Sequence, residues 1–181
     1  MRLDRFRTGG FNRGASRLSE SLWVITSGFI FETWIPGSWW RAIILRSFGA
    51  EIGRAVVIKP HVRIKFPWRL TVSDFCWIGQ GVWIDNLCSV KIYENACVSQ
   101  GTYIGTGNHD WTKETFDLLV QPVTVGAHAW LGARSIVAPG VNVGNGAVLT
   151  MGSLAVKNLS QWSVYTGAPA KKIKERVLRD G

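Results

Sequence analysis

Residues 52–84 read IGRAVVIKPHVRIKFPWRLTVSDFCWIGQGVWI, and an aliphatic residue returns in them at a spacing of six, with one wider step of eight. The same spacing continues along most of the chain. An aliphatic residue at every sixth position predicts short strands that each turn one side chain inward, with three strands in each turn of a triangular coil. The series comprises Ile52, Ile58, Ile64, Val72, Ile78, Ile84, Ile92, Val98, Ile104, Val125, Leu131, Val137, Val143 and Leu149.

The first three triplets begin 20 residues apart, at Ile52, Val72 and Ile92. A short period nested in a longer one is typical of a solenoid, whereas a β-sandwich would need polar turns every 8–12 residues. Glycine follows the aliphatic residue at 53, 79, 105, 126, 132 and 144, and we expect it to let the backbone turn a corner. The predicted fold class is an all-β solenoid, a parallel β-helix of about five coils.

The ends of the chain depart from the repeat, which predicts three regions: an N-terminal arm and helical cap (1–49), a β-helix domain (50–156) and a C-terminal segment (157–181). A loop, 105–124, interrupts the β-helix domain. Loops of this length within a compact domain are usually functional.

Helical signals mark both ends of the chain. In the N-terminal region, the spacing of Leu18, Leu22, Ile25 and Phe29 predicts one helix, and Ser38 is placed to cap a second. In the C-terminal segment, Pro169 suits the first position of a final helix in which Ile173 and Val177 would face inward.

The N-terminal region is rich in tryptophan, at 23, 34, 39 and 40. Two interpretations remain open: packing across the open first coil, or lying on a membrane surface beside the basic residues Arg2, Arg5, Arg7, Arg13 and Arg17. The apolar stretch 22–35 contains Glu32 and is too short to cross a membrane.

The composition predicts one domain of 181 residues with a net charge of +9. Its basic ends suggest contact with phosphates, acidic lipid or another polyanion. Three cysteines form no CxxC pair: Cys76, Cys88 and Cys97. We interpret them as small apolar residues that fill space in the core, which indicates a reducing compartment. The start of the chain has no secretion signal, so we expect a cytoplasmic protein, which a peripheral membrane contact would place at the inner face of the membrane.

Of the three histidines, only His109 lies in the loop that interrupts the coils. A histidine there could take a proton from a hydroxyl group near neutral pH, or it could simply be an exposed polar residue. His61 and His128 fall inside repeat units. Their spacing predicts no metal site in one chain, although histidines from adjacent subunits could in principle bind zinc.

Four stretches resemble a known family: RSFGAEIGRAVVIKPHVRIKFPWRLTV (46–72), NHD (108–110), AWLGARSIVAPGVNVG (129–144) and GAPAKKIKE (167–175). They are similar to the hexapeptide-repeat acyltransferases of the left-handed parallel β-helix class. Within that class they resemble most the colanic acid biosynthesis acetyltransferases. The resemblance implies a left-handed coil, a homotrimer, acetyl-CoA as co-substrate and a sugar or glycan as acceptor, with no nucleic acid partner.

The resemblance also implies roles for individual residues. His109 takes the place of the catalytic base. The residues implied to bind acetyl-CoA are Trp130 beside the pantetheine arm, Ala133 through its backbone N–H, Met151 in the CoA channel, and Lys157, Lys171 and Lys174 at the phosphates. Those implied to bind the acceptor are Asp85, where relatives use asparagine, with Asn86 and Asn108.

The expected function is therefore acetyl-CoA-dependent O-acetylation of a sugar hydroxyl in exopolysaccharide or surface-glycan biosynthesis. Two alternatives stay open. One is a zinc enzyme resembling the γ-type carbonic anhydrases, which share the coil but need three converging histidines. The other is a non-catalytic scaffold that uses the coil only for assembly.

Overall fold

The computed structural model describes residues 1–6 and 8–179. Arg7, one of the basic residues noted near the N-terminus, and residues 180–181 of the predicted C-terminal segment lie outside the described residues. The helices are α1 (Arg17–Thr26), continued by a π-helical turn at Ser27–Phe31, and α2 (Trp39–Ser47), with 3₁₀ turns at Leu3–Arg5 and Pro67–Arg69.

The rest of the described chain is built from short strands, most of them two or three residues long. In chain order they are β1 (Glu51–Ile52), β2 (Val57–Ile58), β3 (Arg63–Ile64), β4 (Leu70–Val72), β5 (Trp77–Ile78), β6 (Trp83–Asp85), β7 (Val90–Ile92), β8 (Cys97–Val98), β9 (Tyr103–Gly105), β10 (Gly107–His109), β11 (Leu118–Val120), β12 (Val123–Val125), β13 (Trp130–Leu131), β14 (Ile136–Val137), β15 (Asn142–Val143), β16 (Val148–Leu149), β17 (Leu154–Ala155), β18 (Ser163–Gly167) and β19 (Ala170–Glu175).

Three sheets form the sides of a triangular prism. Sheet A has the order β1-β4-β7-β12-β15, sheet B the order β2-β5-β8-β13-β16-β18-β19, and sheet C the order β3-β6-β9-β14-β17. Each coil contributes one strand to each sheet, and neighbouring coils pair in parallel, as Ile52 does with Val72. Five coils are complete. A partial sixth follows, in which Leu159 bridges Val143 and β18 pairs with β16.

The interior of the prism confirms the repeat. All fourteen aliphatic residues of the series are buried, and none exposes more than 8% of its surface. Each stacks on its equivalents one coil above and below, so the coils share one continuous apolar core. Cys76 fills part of this core as a free thiol, and burial raises its pKa to about 11.

Glycine has a different role in the repeat from the one expected. A Cβ on Gly132 would lie 2.5 Å from the backbone nitrogen of Met151, and one on Gly53 would lie 2.6 Å from that of Asp74. Glycine therefore lets neighbouring coils approach closely. The left-handed corner residue comes two positions later, as at Ala55, where φ is 51°.

The helical cap covers the first strand of every sheet. The Trp23 indole N–H donates to the Ile64 carbonyl oxygen at 2.9 Å, and the Arg46 guanidinium group donates to that of Ile52 at 2.7 Å. Ser38 does not cap α2 as predicted, because its Oγ accepts the Ile58 N–H at 3.0 Å instead. These bonds satisfy backbone groups at an edge that would otherwise be open to another chain.

The predicted C-terminal helix is wrong. Strand β18 extends sheet B beyond β16, and β19 folds back beside β18 in antiparallel pairing. Pro169 lies in the turn between them, and Ile173 and Val177 are exposed. The edge of sheet B offers a row of backbone hydrogen bonds that a helix could not use, and this outweighs the local helical signal.

Candidate active site

The interruption predicted at 105–124 is an antiparallel hairpin. Strands β10 and β11 pair with His109 opposite Leu118. The hairpin follows β9 of sheet C and precedes β12 of sheet A, so it projects from the edge of the prism where these two sheets meet. His109 is thereby carried outside the repeat on a backbone fixed by strand pairing.

The His109 ring is held by Phe116. The Nδ1 atom of His109 lies 3.0 Å from the Phe116 carbonyl oxygen, and the two rings stack with centroids 4.3 Å apart and planes inclined by 2°. A carbonyl oxygen can only accept, so Nδ1 carries a proton, and in the neutral imidazole the lone pair is then on Nε2. Phe6 of the N-terminal arm lies 5.6 Å from the same ring. Sequence reasoning found neither phenylalanine.

Asp110, next to His109, serves the turn of the hairpin. Its Oδ1 accepts hydrogen bonds from the Thr112 hydroxyl at 2.5 Å and from the Thr112 N–H at 3.1 Å. The hydroxyl bond is the main reason that the pKa of Asp110 is lowered. This carboxylate thus orders the turn, and the orientation of the imidazole comes from the Phe116 backbone.

Asp85 ends β6 at the base of the hairpin, where its carbonyl oxygen accepts the Thr106 N–H at 3.2 Å. The Tyr103 hydroxyl donates to its Oδ2 at 3.1 Å. Burial, with a smaller effect from the Asp85 charge, raises the pKa of Tyr103 to about 12. Among the described residues, the buried Oδ1 of Asp85 has no hydrogen-bond partner. An unpaired acceptor oxygen is therefore enclosed at the base of the hairpin.

The two asparagines named as acceptor contacts differ in exposure. The Asn86 side chain is fully buried, with its Oδ1 accepting the Phe66 N–H at 2.9 Å and its Nδ2 donating to the Phe66 carbonyl at 2.7 Å. It holds a corner between coils, and this geometry does not fit the predicted acceptor contact. Asn108 is exposed, and its Oδ1 accepts the His109 N–H at 2.8 Å.

Three of the residues predicted to bind acetyl-CoA lie at the edge between sheets B and C: Trp130, Ala133 and Met151. Trp130 is half-exposed and donates from its indole N–H to the Ser99 hydroxyl at 2.8 Å. Ala133 lies at the corner after β13, with the exposed Met151 one coil above it. These residues form one continuous strip of the surface.

The Ala133 backbone N–H is left open by the repeat. At the corner before β13, the equivalent N–H of Ala127 donates to Oδ1 of Asn145, one coil above, at 3.0 Å. The residue above Ala133 is Met151, whose side chain offers no such oxygen. Within the described part of the chain, no backbone carbonyl accepts the Ala133 N–H. The donor is therefore free for a bound ligand.

The lysines divide between two edges of the prism. Lys174 lies in one row of sheet B with Trp130, since the pairing runs from Trp130 through Val148 and Val164 to Lys174. Three strand spacings separate the ends of this row, about 14 Å. Lys171 lies on the same strand. Lys157, in contrast, follows β17 at the edge of sheets C and A, which also carries the hairpin.

Within a single chain, the two halves of the predicted site therefore lie on different edges of the prism. The His109 half lies on the edge between sheets C and A, and the Ala133 half lies on the edge between sheets B and C. Within the described ranges, no cluster of three or more His, Cys, Asp or Glu side chains could hold a metal ion. No helix formed by those residues is long and apolar enough to cross a membrane.

Comparisons with known proteins agree with this fold. Residues 122–154 match the family model described as the hexapeptide repeat of succinyl-transferase. Over 91% of both chains, the sequence is 39% identical to an Escherichia coli protein named as the colanic acid biosynthesis acetyltransferase WcaF. The chain belongs to the hexapeptide-repeat acetyltransferases, whose fold is the left-handed parallel β-helix.

Two solved structures share this fold at low sequence identity. One is a hexapeptide-repeat acetyltransferase of Vibrio cholerae in complex with acetyl-CoA, with a TM-score of 0.82 and 17% identity, covering 98% of this chain and 97% of that one. The other is a maltose O-acetyltransferase of Clostridium difficile, with a TM-score of 0.80 and 20% identity, covering 90% of each chain.

Proposed function

We propose that the protein is an acetyl-CoA-dependent O-acetyltransferase that modifies a sugar hydroxyl during the assembly of a surface polysaccharide. The observation that carries the proposal is the bond from His109 Nδ1 to the Phe116 carbonyl, which leaves Nε2 as a proton acceptor on an exposed hairpin. The WcaF relative, the acetyl-CoA complex and the maltose O-acetyltransferase support the donor and the class of acceptor.

The proposed reaction is a direct transfer. Nε2 of His109 takes the proton from the sugar hydroxyl as its oxygen attacks the thioester carbonyl carbon. The resulting oxyanion accepts a hydrogen bond from the free N–H of Ala133. The C–S bond then breaks, and the leaving thiolate of CoA takes the proton from the His109 imidazolium. No covalent bond between enzyme and acetyl group is needed.

This chemistry requires two copies of the chain, because the base and the oxyanion donor lie on different edges of the prism. A contact that joins the edge of sheets C and A in one copy to the edge of sheets B and C in the next is heterologous. Repeated around a threefold axis it closes into a ring with three equal sites. We therefore propose a homotrimer in which each site combines His109 and Lys157 of one copy with Trp130, Ala133, Met151, Lys171 and Lys174 of its neighbour.

The proposed acceptor contacts lie at the base of the hairpin. The buried Oδ1 of Asp85 has no hydrogen-bond partner among the described residues, so a sugar hydroxyl that displaces the atoms around it would find an acceptor, and Asn108 offers a second polar group near His109. A carboxylate only accepts hydrogen bonds, whereas an amide also donates. Asp85 therefore favours acceptors that present a hydroxyl donor at this point.

We also propose a cytoplasmic location. The cysteines at 76, 88 and 97 are all free, and the first is buried in the core. Free thiols persist where the compartment is reducing.

The test is consumption of acetyl-CoA by the purified protein against nucleotide sugars, lipid-linked sugars and oligosaccharides, with the acetylated product identified by mass spectrometry. We expect an ester on one of these acceptors. Turnover of none of them would contradict the proposal and favour the scaffold. Bicarbonate formation from carbon dioxide, together with stoichiometric zinc in the purified protein, would favour the carbonic anhydrase alternative.

A further inference from the structure

The apolar stripe of α1 and its π-helical continuation faces away from the protein. Leu18, Leu22, Ile25 and Phe29 are all exposed, while the opposite side of the helix buries Trp23 and Phe31. Together with Trp34 in the turn that follows, these four exposed residues form what we call the cap face. Phe29 exposes 81% of its surface and Trp34 exposes 74%. Exposed apolar patches of this kind mark interaction sites.

The cap face points away from the coils. The other side of the cap bonds to the first strands of the three sheets, through contacts such as those of Trp23 with Ile64 and Arg46 with Ile52. The cap therefore closes one end of the solenoid, and its outer face leaves the two site edges uncovered.

A buried arginine fixes the turn that carries Trp34. Arg41 is fully buried, and its guanidinium group donates to the carbonyl oxygens of Thr33, Ile35 and Gly37, each at 2.8 Å. Burial lowers the pKa of Arg41. A buried cation that holds three carbonyls gives the turn one defined shape, so the Trp34 indole is presented from a rigid support.

The charges around the cap face are those that suit an anionic surface. Helix α1 through α2 contains two carboxylates, and both are engaged: Glu20 pairs with Arg13, and Glu32 pairs with Arg63 and accepts the Ser27 hydroxyl. Arg17 begins α1 on its exposed surface. The same face of a second copy would bring Arg17 and two carboxylates that are already paired.

We infer that the cap face docks on the surface of an anionic phospholipid bilayer, independently of the proposed acetyl transfer. Phe29 and the aliphatic side chains would enter the boundary between headgroups and acyl chains, Trp34 would keep its indole N–H at the headgroups, and Arg17 would meet lipid phosphate. Helices of this length lie on a bilayer and do not cross it. In the proposed trimer, three caps on one end would bind with a higher avidity than one cap.

The experiment is cosedimentation of the full chain with phosphatidylcholine vesicles, with and without phosphatidylglycerol, in the absence of acetyl-CoA. We expect binding that needs phosphatidylglycerol and weakens as salt is added. The double substitution Phe29→Ser with Trp34→Ser should lower the partition coefficient at least about tenfold, because two large apolar side chains no longer enter the bilayer. Trp111→Ser is the matched control, since Trp111 is as exposed as Trp34 but lies on the hairpin.

Three outcomes would overturn the inference. The natural protein could fail to bind anionic vesicles, or the double variant could bind as well as Trp111→Ser. Alternatively, light scattering without vesicles could show that the natural protein forms an oligomer and that the double variant does not, which would make the face an interface between copies. If the double variant melts at a lower temperature than the natural protein, Leu18→Ser with Trp34→Ser replaces it in all three comparisons.

Discussion

The carbonyl oxygen of Phe116 lies 3.0 Å from Nδ1 of His109, and the Phe116 ring stacks on the imidazole. Many catalytic histidines are oriented by a carboxylate, but here a backbone group fixes the tautomer and an aromatic ring fixes the plane. Both contacts come from one residue of the same hairpin, so the orientation of the imidazole depends on the pairing of its two strands.

Replacing His109 by alanine should reduce turnover at least about 100-fold, since a positioned general base contributes that much or more. Thermal stability should change little, because the residue lies on a hairpin outside the coil core. Turnover and the Michaelis constants are measured separately, as loss of a residue that only orders the loop would raise the constants and spare turnover. His128→Asn is the control, because asparagine tolerates the left-handed backbone found there. A fall in turnover of less than about tenfold would place the base elsewhere.

Replacing Ala133 by proline should remove the oxyanion donor and leave the corner intact. Proline already stands at the equivalent corner position in Pro60 and Pro139, each followed by a residue with positive φ, as Ala133 is. We expect turnover to fall about 100-fold or more, the usual effect of losing one such donor. Circular dichroism and the melting temperature check the fold. Normal turnover in a folded variant would exclude Ala133 from the mechanism.

Mixing two inactive variants tests whether the site is shared. His109→Ala and Ala133→Pro chains, coexpressed with different tags and purified through both, should regain activity. In a mixed closed ring of three chains, one of the three sites would join an intact His109 to an intact Ala133. Mixing the separately purified homo-oligomers without exchange is the control. Mixed assemblies that stay inactive would show that each site uses one chain alone, and light scattering that finds a monomer would also contradict the shared site.

Lys171 and Lys174 should contribute to acetyl-CoA affinity through its phosphates. Replacing both by alanine should weaken binding about tenfold or more, and the difference should shrink as salt screens the charges. Titration calorimetry measures the affinity. Lys91→Ala on sheet A is the matched control, as Lys91 is exposed but lies on another side of the prism. Equal affinity in the double variant and in Lys91→Ala would remove this assignment.

Stability should fall between about pH 9 and about pH 11 because of Cys76. Burial raises the pKa of this thiol from its ordinary value of 9.0 to about 11, so the folded protein keeps a proton that the unfolded chain has lost. The unfolded state then binds fewer protons, and the free energy of unfolding decreases as pH rises. Denaturant titrations at several pH values give the free energy of unfolding as a function of pH. Its decrease between about pH 9 and about pH 11 should be smaller for Cys76→Ala than for Cys88→Ala. An equal decrease in the two variants would contradict the prediction.

The repeat made the coil predictable because one chemical requirement, an aliphatic residue facing inward, recurs at a fixed spacing. The predicted series of inward aliphatic residues stopped at Leu149 for the same reason. The next inward residue, Ala155, is small, and the step from it to Leu159 departs from the spacing of six, so the partial sixth coil carries too weak an apolar signal to detect. Its antiparallel return strand depends on sheet edges that no local pattern reveals.

The candidate site was only partly visible in the sequence. His109 stood out because it interrupts the repeat, but Phe116 contacts it through a backbone carbonyl, a group that every residue possesses. Asn86 looked suitable for an acceptor because of its amide, and only the three-dimensional corner shows that Phe66 occupies both ends of it. A sequence shows which hydrogen-bonding groups a side chain has, whereas only the folded structure shows which of those groups a neighbouring residue already occupies.

The helical cap also sets a height. Three coils lie between it and the hairpin that carries His109, and at the spacing of strands in a sheet they amount to about 14 Å. If the cap rests on a bilayer, the number of coils between the cap and the hairpin sets the distance from the lipid surface to His109, and hence the distance that an acceptor hydroxyl must reach. Gain or loss of one coil below the hairpin would move that plane by one strand spacing without altering a single residue of the site.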